Sequence, residues 1–133
     1  MKQAETTARP ISEMDLVWLA AISMNGSPVH LDADRAAMGS FGKPMIVGAI
    51  TVAIAEGLAS QQLTQSLGSP IGWERITLRA PVYVNDVIRV EAVELPSDGN
   101  DQGTPRRVRI QAFVRQDELA AELITLFPPV DEA

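Results

Sequence analysis

The 133-residue chain holds one histidine and no cysteine, which narrows the chemistry open to it. An imidazole, with an ordinary pKa near neutrality, can take a proton and return it within one cycle, acting first as general base and then as general acid. Without cysteine there is no disulfide, thiolate metal site or Cys nucleophile. A single His with only carboxylates for company argues against a metal centre, and no cofactor is implied. His30 lies in "SMNGSPVHLDADRAAMGSFGKP", Ser23 to Pro44, just ahead of the most apolar run in the chain. A lone histidine can equally be a satisfied core residue or a surface one, so the elements around it decide.

Those elements belong to a chain long enough for one domain, 1–133, with a real core. Apolar residues make up 46%, and the net charge of −6 argues against nucleic acid or an anionic membrane as partner. An anionic ligand would need a local cluster of Arg and Lys. The N-terminal "MKQAETTARP" has no apolar core and does not read as a leader, and the apolar stretch Met45–Ala55 is too short to span a bilayer. The cytoplasm is the expected compartment.

Ahead of His30, "ISEMDLVWLAAIS" carries a helix start. Ser12 and Asp15 have capping-box spacing, and Ile11 and Leu16 sit where a hydrophobic staple would. Met14, Val17, Trp18 and Ala21 share one face, and the helix should end near Asn25-Gly26. Asn25-Gly26 reads as a helix C-cap or a turn. After His30, "DADRAAM" reads as one or two helical turns capped by Asp32, stopped by "GSFGKP". "MIVGAITVAIAEGLASQQL" then predicts a long helix from Met45, apolar nearly all round and so enclosed on every side. Gly48 and Gly57 would let neighbouring backbone approach it. Met14, Met24, Met38 and Met45 read as core filler, with Met24 and Met45 as candidates to line an acyl tunnel.

The second half reads as strands. "WERITLRAPVYV" carries Pro81 as a bulge or edge mark, Asn85-Asp86 is a turn and nothing more, and "VIRVEAVEL" follows. A polar loop over 96–105 precedes "RRVRIQAFVRQ", with Val108, Ile110, Ala112 and Val114 inward. Arg107, Arg109, Gln111 and Arg115 face outward, the arginines as a solvated stripe. "LAAELITLF" is the last strand. One enclosed helix followed by three or four antiparallel strands is an α+β arrangement, the sheet wrapped around the helix. A single short sheet rarely covers every face of such a helix, so a second copy is expected to complete the enclosure.

The layout resembles the hotdog fold, and the local sequence resembles the MaoC-like hydratases and dehydratases within it, the (R)-specific enoyl-CoA hydratase and 3-hydroxyacyl-thioester dehydratase family. Pro28-Val29-His30-Leu31-Asp32 stands where that family has P-[IL]-H-x-D. Gly39-Ser40-Phe41, then Gly42-Lys43-Pro44 and Met45-Ile46-Val47-Gly48, stand where it has G-F-x-x-P-[IL]-[VA]-H-G. "LRAPVYVNDVIRVEAVE" is similar to its strand pair, and the likeness covers nearly the whole chain. Two positions depart from the pattern: Asn25 stands where an Asp usually precedes the His by five residues, and Val47 stands for the His of the H-G pair. The N-G-x-x-x-H spacing of Asn25, Gly26 and His30 is similar to that of mitochondrial 3-hydroxyacyl-thioester dehydratases.

The resemblance implies reversible hydration of an enoyl thioester, carried by CoA or an acyl-carrier protein, with His30 as base and acid. Asn25 then orients water or substrate through its amide. Backbone N–H groups at the start of the long helix, Gly48 first, should stabilise the thioester oxygen, beside Val47, Ser27 and Pro44. Arg79, Lys43, Arg106 and Arg107 are the available cations for CoA phosphates, Arg79 and Lys43 the preferred ones. The expected assembly is a homodimer or a hetero-oligomer with another hotdog subunit. Two other readings stay open. Asn25 and Val47 suit a non-catalytic subunit that pairs with a catalytic sister, and Glu56 on the long helix suits a thioesterase.

Overall fold

The β-branched alternation of the second half folds as a sheet, and the N-terminus adds strands that its sequence does not announce. The computed structural model describes the backbone of residues 3–5, together with residues 8–96 and 103–129. Most of the polar loop over 96–105, and parts of the N-terminal "MKQAETTARP", lie outside the described residues. The strands are β1 (Gln3–Glu5), β2 (Arg9–Pro10), β3 (Gly72–Leu78), β4 (Val87–Glu94), β5 (Arg106–Val114) and β6 (Glu118–Phe127). They form an antiparallel sheet in the order β1-β4-β5-β6-β3, with β2 also paired to β4. "QAETTARP" has no strand alternation; β1 and β2 form because β4 has an edge left free by β5.

The helices are α1 (Glu13–Ile22), α2 (Pro28–Leu31), α3 (Ala33–Met38) and α4 (Gly48–Leu67). α4 lies on the inner face of the sheet, where Val52, Ala55, Leu58 and Ala59 pack with Val90, Ala92, Val108, Ile110, Ala112 and Leu123. Each fully buried Val, Leu or Ile in that layer contributes about 1.5–3 kcal/mol. One expectation for α4 is corrected. It starts at Gly48, not Met45, because Met45 pairs with Tyr83 in an isolated antiparallel bridge and its carbonyl, which a longer helix would give to Ala49, is taken by His30 Nδ1. Within one protomer the sheet leaves one face of it open, as expected of a single sheet: Ala49, Ala53 and Gly57, four residues apart, are exposed, and a Cβ at Gly57 would meet nothing within 4 Å. Gly68, at φ 76°, ends the helix.

α1 carries the full capping box. Ser12 Oγ accepts the Asp15 amide (3.1 Å) and Asp15 Oδ2 accepts the Ser12 amide (2.8 Å), while Ile11 and Leu16 share the core. The Arg9 guanidinium bonded to Asp15 holds its carboxyl below the usual carboxylate value. The face of Met14, Val17, Trp18 and Ala21 is exposed; α1 is buried through Leu16 and Ala20 instead. Met14, Met24 and Met38 are likewise exposed, not core filler.

The C-terminus of α1 is a Schellman turn with the Asn25 amide on Ala20 O (3.0 Å) and the Met24 amide on Ala21 O (3.1 Å). Met24 occupies the left-handed position at φ 53° and is 91% exposed. Met24→Gly therefore relieves strain without losing packing. It should raise unfolding free energy by about 0.5–1 kcal/mol in urea titration, after the cost of a freer unfolded chain.

β5 alternates as expected, with Val108, Ile110, Ala112 and Val114 buried. Its outer side is a paired lattice, not a solvated stripe: Arg107 forks onto Glu74 (2.7 and 2.8 Å), Gln111 and Arg75 reach Glu122, and Arg109 Nε is sealed with no partner. β3 is the edge of the sheet and carries exposed Trp73, Ile76 and Leu78. The regular strand stops at Leu78, short of Pro81, and its bulge falls at Trp73/Arg75. Among the described residues no helix is long and apolar enough to cross a membrane.

Candidate active site

Ser27 and Pro28 begin α2 as N-cap and first helical residue, the place where a missing N–H costs nothing. This single turn was not anticipated, although Ser-Pro ahead of an apolar residue is its signal. It carries His30, which is 6% exposed. The His30 Nδ1 lies 2.7 Å from the carbonyl oxygen of Met45. A carbonyl only accepts, so Nδ1 carries the hydrogen, and the neutral ring keeps its lone pair on Nε2. Nε2 makes no hydrogen bond to another described residue. The ring is thus a base with a fixed tautomer.

Asn25 follows the Schellman turn of α1, half-buried, and its Oδ1 accepts the Ser27 amide at 3.3 Å, an Asx turn leading into α2. The Ser27 carbonyl in turn accepts the His30 amide at 3.0 Å. Asn25, Ser27 and His30 therefore lie on one short, internally bonded segment. Asp32 is the N-cap of α3, its Oδ1 accepting the Arg35 amide at 3.0 Å.

Met45 joins this segment to the start of α4. Its amide bonds Val29 O, its carbonyl holds His30, and Pro44 precedes it, half-buried. Val47 caps α4 without a side-chain bond and is itself buried, its carbonyl taking the amides of Ile50 (2.9 Å) and Thr51 (3.3 Å). The Gly48 and Ala49 amides, first of the helix, have no acceptor among the described residues. The positive end of the helix dipole gathers there. What a Cβ at Gly48 would strike is not open space: Leu78 Cδ1 lies 2.4 Å from that position. Within one protomer the glycine admits the Leu78 side chain, which is 54% exposed.

Arg79 follows Leu78 and is exposed, and Lys43 sits 4.5 Å from the centroid of the Tyr83 ring. Both belong to segments that meet the α4 start. Arg106 and Arg107 do not: Arg106 forks onto Glu94 (2.7 and 2.9 Å) and reaches Ser66 O near the far end of α4. Burdened by Arg106, Glu94 has its carboxyl held below the usual value. Glu56 lies two turns into α4, about 12 Å from Gly48 along the axis, and accepts the Trp73 indole N–H at 2.7 Å.

Sequence reasoning missed Asp86. It is 9% exposed, accepts the Tyr83 amide at 2.8 Å and pairs with Arg115, so Asn85-Asp86 is more than a turn.

A family model described as a MaoC like domain matches residues 1–112. The chain belongs to the MaoC-like domain family. This MaoC-like domain is 33% identical over 72 residues to an (R)-specific enoyl-CoA hydratase of Aeromonas caviae, a stretch that spans 54% of this chain and about half, 53%, of that relative. Among solved structures it superposes on a monoamine oxidase regulatory protein from Archaeoglobus fulgidus with a TM-score of 0.87, at 20% identity, over 99% of this chain and 90% of that one. An (R)-hydratase from Pseudomonas aeruginosa in its unliganded form gives 0.69 at 27% identity, over 99% and 86%. The MaoC-like domain has the hotdog fold, α+β, with α4 as its long central helix.

Proposed function

We propose that this MaoC-like domain hydrates enoyl thioesters of CoA or an acyl carrier reversibly, with His30 as base and acid. The carrying observation is the 2.7 Å bond from His30 Nδ1 to Met45 O, which leaves Nε2 as the nitrogen that accepts a proton. In the forward direction Nε2 takes a proton from water as the water oxygen bonds to the β-carbon. The C=C electron pair moves toward the α-carbon, and charge builds on the thioester oxygen. The Gly48 and Ala49 amides at the start of α4 are the donors for that charge. The imidazolium then returns its proton to the α-carbon, so one water has been added and the enzyme is regenerated. Asn25, two residues from Ser27 on the same bonded segment, orients the water or substrate, with Pro44 and Val47 as the neighbouring chain. Arg79 and Lys43 supply cations for the CoA phosphates. Loss of absorbance of crotonyl-CoA and longer enoyl-CoAs tests this; a purified, folded chain that hydrates none of them overturns it.

The assembly we infer is a homodimer. β3 leaves one edge of the sheet unpaired and presents Trp73, Ile76 and Leu78 to solvent, while the N-terminal half of α4 presents the small residues Ala49, Ala53 and Gly57. Small residues allow a second helix to approach closely, and an apolar sheet edge invites another strand. Ala53→Glu should leave an isolated protomer intact, since the site is exposed, yet turn the dimer into monomers in sedimentation at micromolar concentration. A wild-type chain that sediments as a monomer at the same concentration sinks the homodimer. Asn25 and Val47, an amide where the family usually has Asp and an apolar side chain where it has the His of the H-G pair, favour the second reading, a subunit that pairs with a catalytic sister.

A further inference from the structure

Three successive residues that are not glycine, Arg115 (φ 31°), Gln116 (φ 46°) and Asp117 (φ 67°), stand in the left-handed region at the tip of the β5–β6 hairpin. Such strain persists only where the surroundings hold it, and here the turn is closed by the Glu118 amide on Arg115 O (3.0 Å) and by Arg89 on Asp117 (2.6 Å). The result carries the Arg115 side chain back over the segment 81–86. Arg115 Nη2 donates to Pro81 O at 2.9 Å, Nη1 donates to Asp86 Oδ2, and Nε donates to Glu118 at 3.0 Å. Its guanidinium carbon also lies 5.2 Å from the Tyr83 ring centroid. One planar fork thus grips both ends of a six-residue segment and Glu118 as well, through three separate nitrogens that a single ammonium nitrogen does not reproduce.

That segment is what holds Met45. Met45 pairs with Tyr83 in an isolated antiparallel bridge, and the next residue bonds Val82 O. The Tyr83 amide is in turn fixed by Asp86, and its hydroxyl donates to Phe41 O at 2.9 Å. Met45 O is the acceptor that sets the His30 tautomer. We propose that Arg115 is a positioning residue for His30, acting through Pro81 O, Asp86 and the Tyr83–Met45 bridge on the carbonyl that binds Nδ1. The activity arm of its test rests on the reading of His30 as the base; the spectroscopic arm does not.

Because His30 is the only histidine, nitrogen-15 labelling of the imidazole reports its tautomer with no assignment problem. The wild type should show Nδ1–H in the neutral ring. Arg115→Met should give a mixed population, with kcat on crotonyl-CoA down by about 10- to 100-fold and KM within about twofold, the pattern of a misplaced catalytic group. Arg115→Lys keeps a charge for Asp86 but loses the rigid fork that spans Asp86 and Pro81 O, and should lie between the two. A folded Arg115→Met protein with the wild-type tautomer overturns the proposal, whatever its activity. If that variant does not fold, Arg115→Lys decides: an unchanged tautomer and kcat overturn it. A wild type without hydratase activity but with a tautomer that shifts on losing Arg115 sinks the His30 chemistry and leaves the positioning role standing.

Discussion

Replacing His30 with Ala should lower kcat/KM for crotonyl-CoA by about 10²- to 10⁴-fold, the usual worth of a positioned general acid–base group. Ala also strands the Met45 carbonyl, which loses a 2.7 Å bond in a buried place, and such a loss costs about 1–3 kcal/mol of stability. His30→Asn separates the two effects. Its side-chain amide can donate to Met45 O where Nδ1 did, but it cannot take a proton. The Asn variant should therefore unfold close to the wild type in urea and hydrate as poorly as the Ala variant. Wild-type turnover by a folded His30→Asn protein removes the imidazole from the chemistry.

The second large effect runs the other way. Asn25 cannot titrate, so in the proposed reaction a single imidazole moves every proton. Asn25→Asp is close to isosteric, and a carboxylate accepts the Ser27 amide as Oδ1 now does, so the Asx turn into α2 is kept. It adds a second proton carrier five residues before His30. Turnover should rise on the order of 10²-fold, at the low end of what such a group contributes. Initial rates at saturating crotonyl-CoA measure it. No gain from a folded Asn25→Asp protein means that the amide, not its lack of charge, is what the site uses at that position.

Features set by neighbours in sequence were legible. Ser12, Asp15, Ile11 and Leu16 announce a helix start because capping box and staple act over five residues, and Asp32 announces α3 in the same way. The alternation of Val108, Ile110, Ala112 and Val114 needs only the pleat of one strand. Long-range partners were not legible. α4 loses its first turn because Met45 pairs with Tyr83 and gives its carbonyl to His30, and Asp86 finds Arg115 across 29 residues, which no local pattern encodes. α1 shows a different limit. Met14, Val17 and Trp18 form a helical stripe, yet periodicity does not say on which side the core lies, and Leu16 and Ala20 face it instead. At the site, the segment of Asn25, Ser27 and His30 is tied to the start of α4 through Met45, a residue read as filler or tunnel lining. Its importance lies in a backbone oxygen that every residue type possesses.

The late onset of α4 has a consequence for how the site can evolve. In a helix coiled from Met45 onward, that residue's carbonyl would bond the Ala49 amide four positions on. The imidazole would lose its acceptor, and one of the bare amides would vanish in the same event. Ring orientation and the bare amide of Ala49 are therefore not separate inventions but two products of a single unwound turn. Mutations that make Met45–Val47 more eager to coil will damage both together.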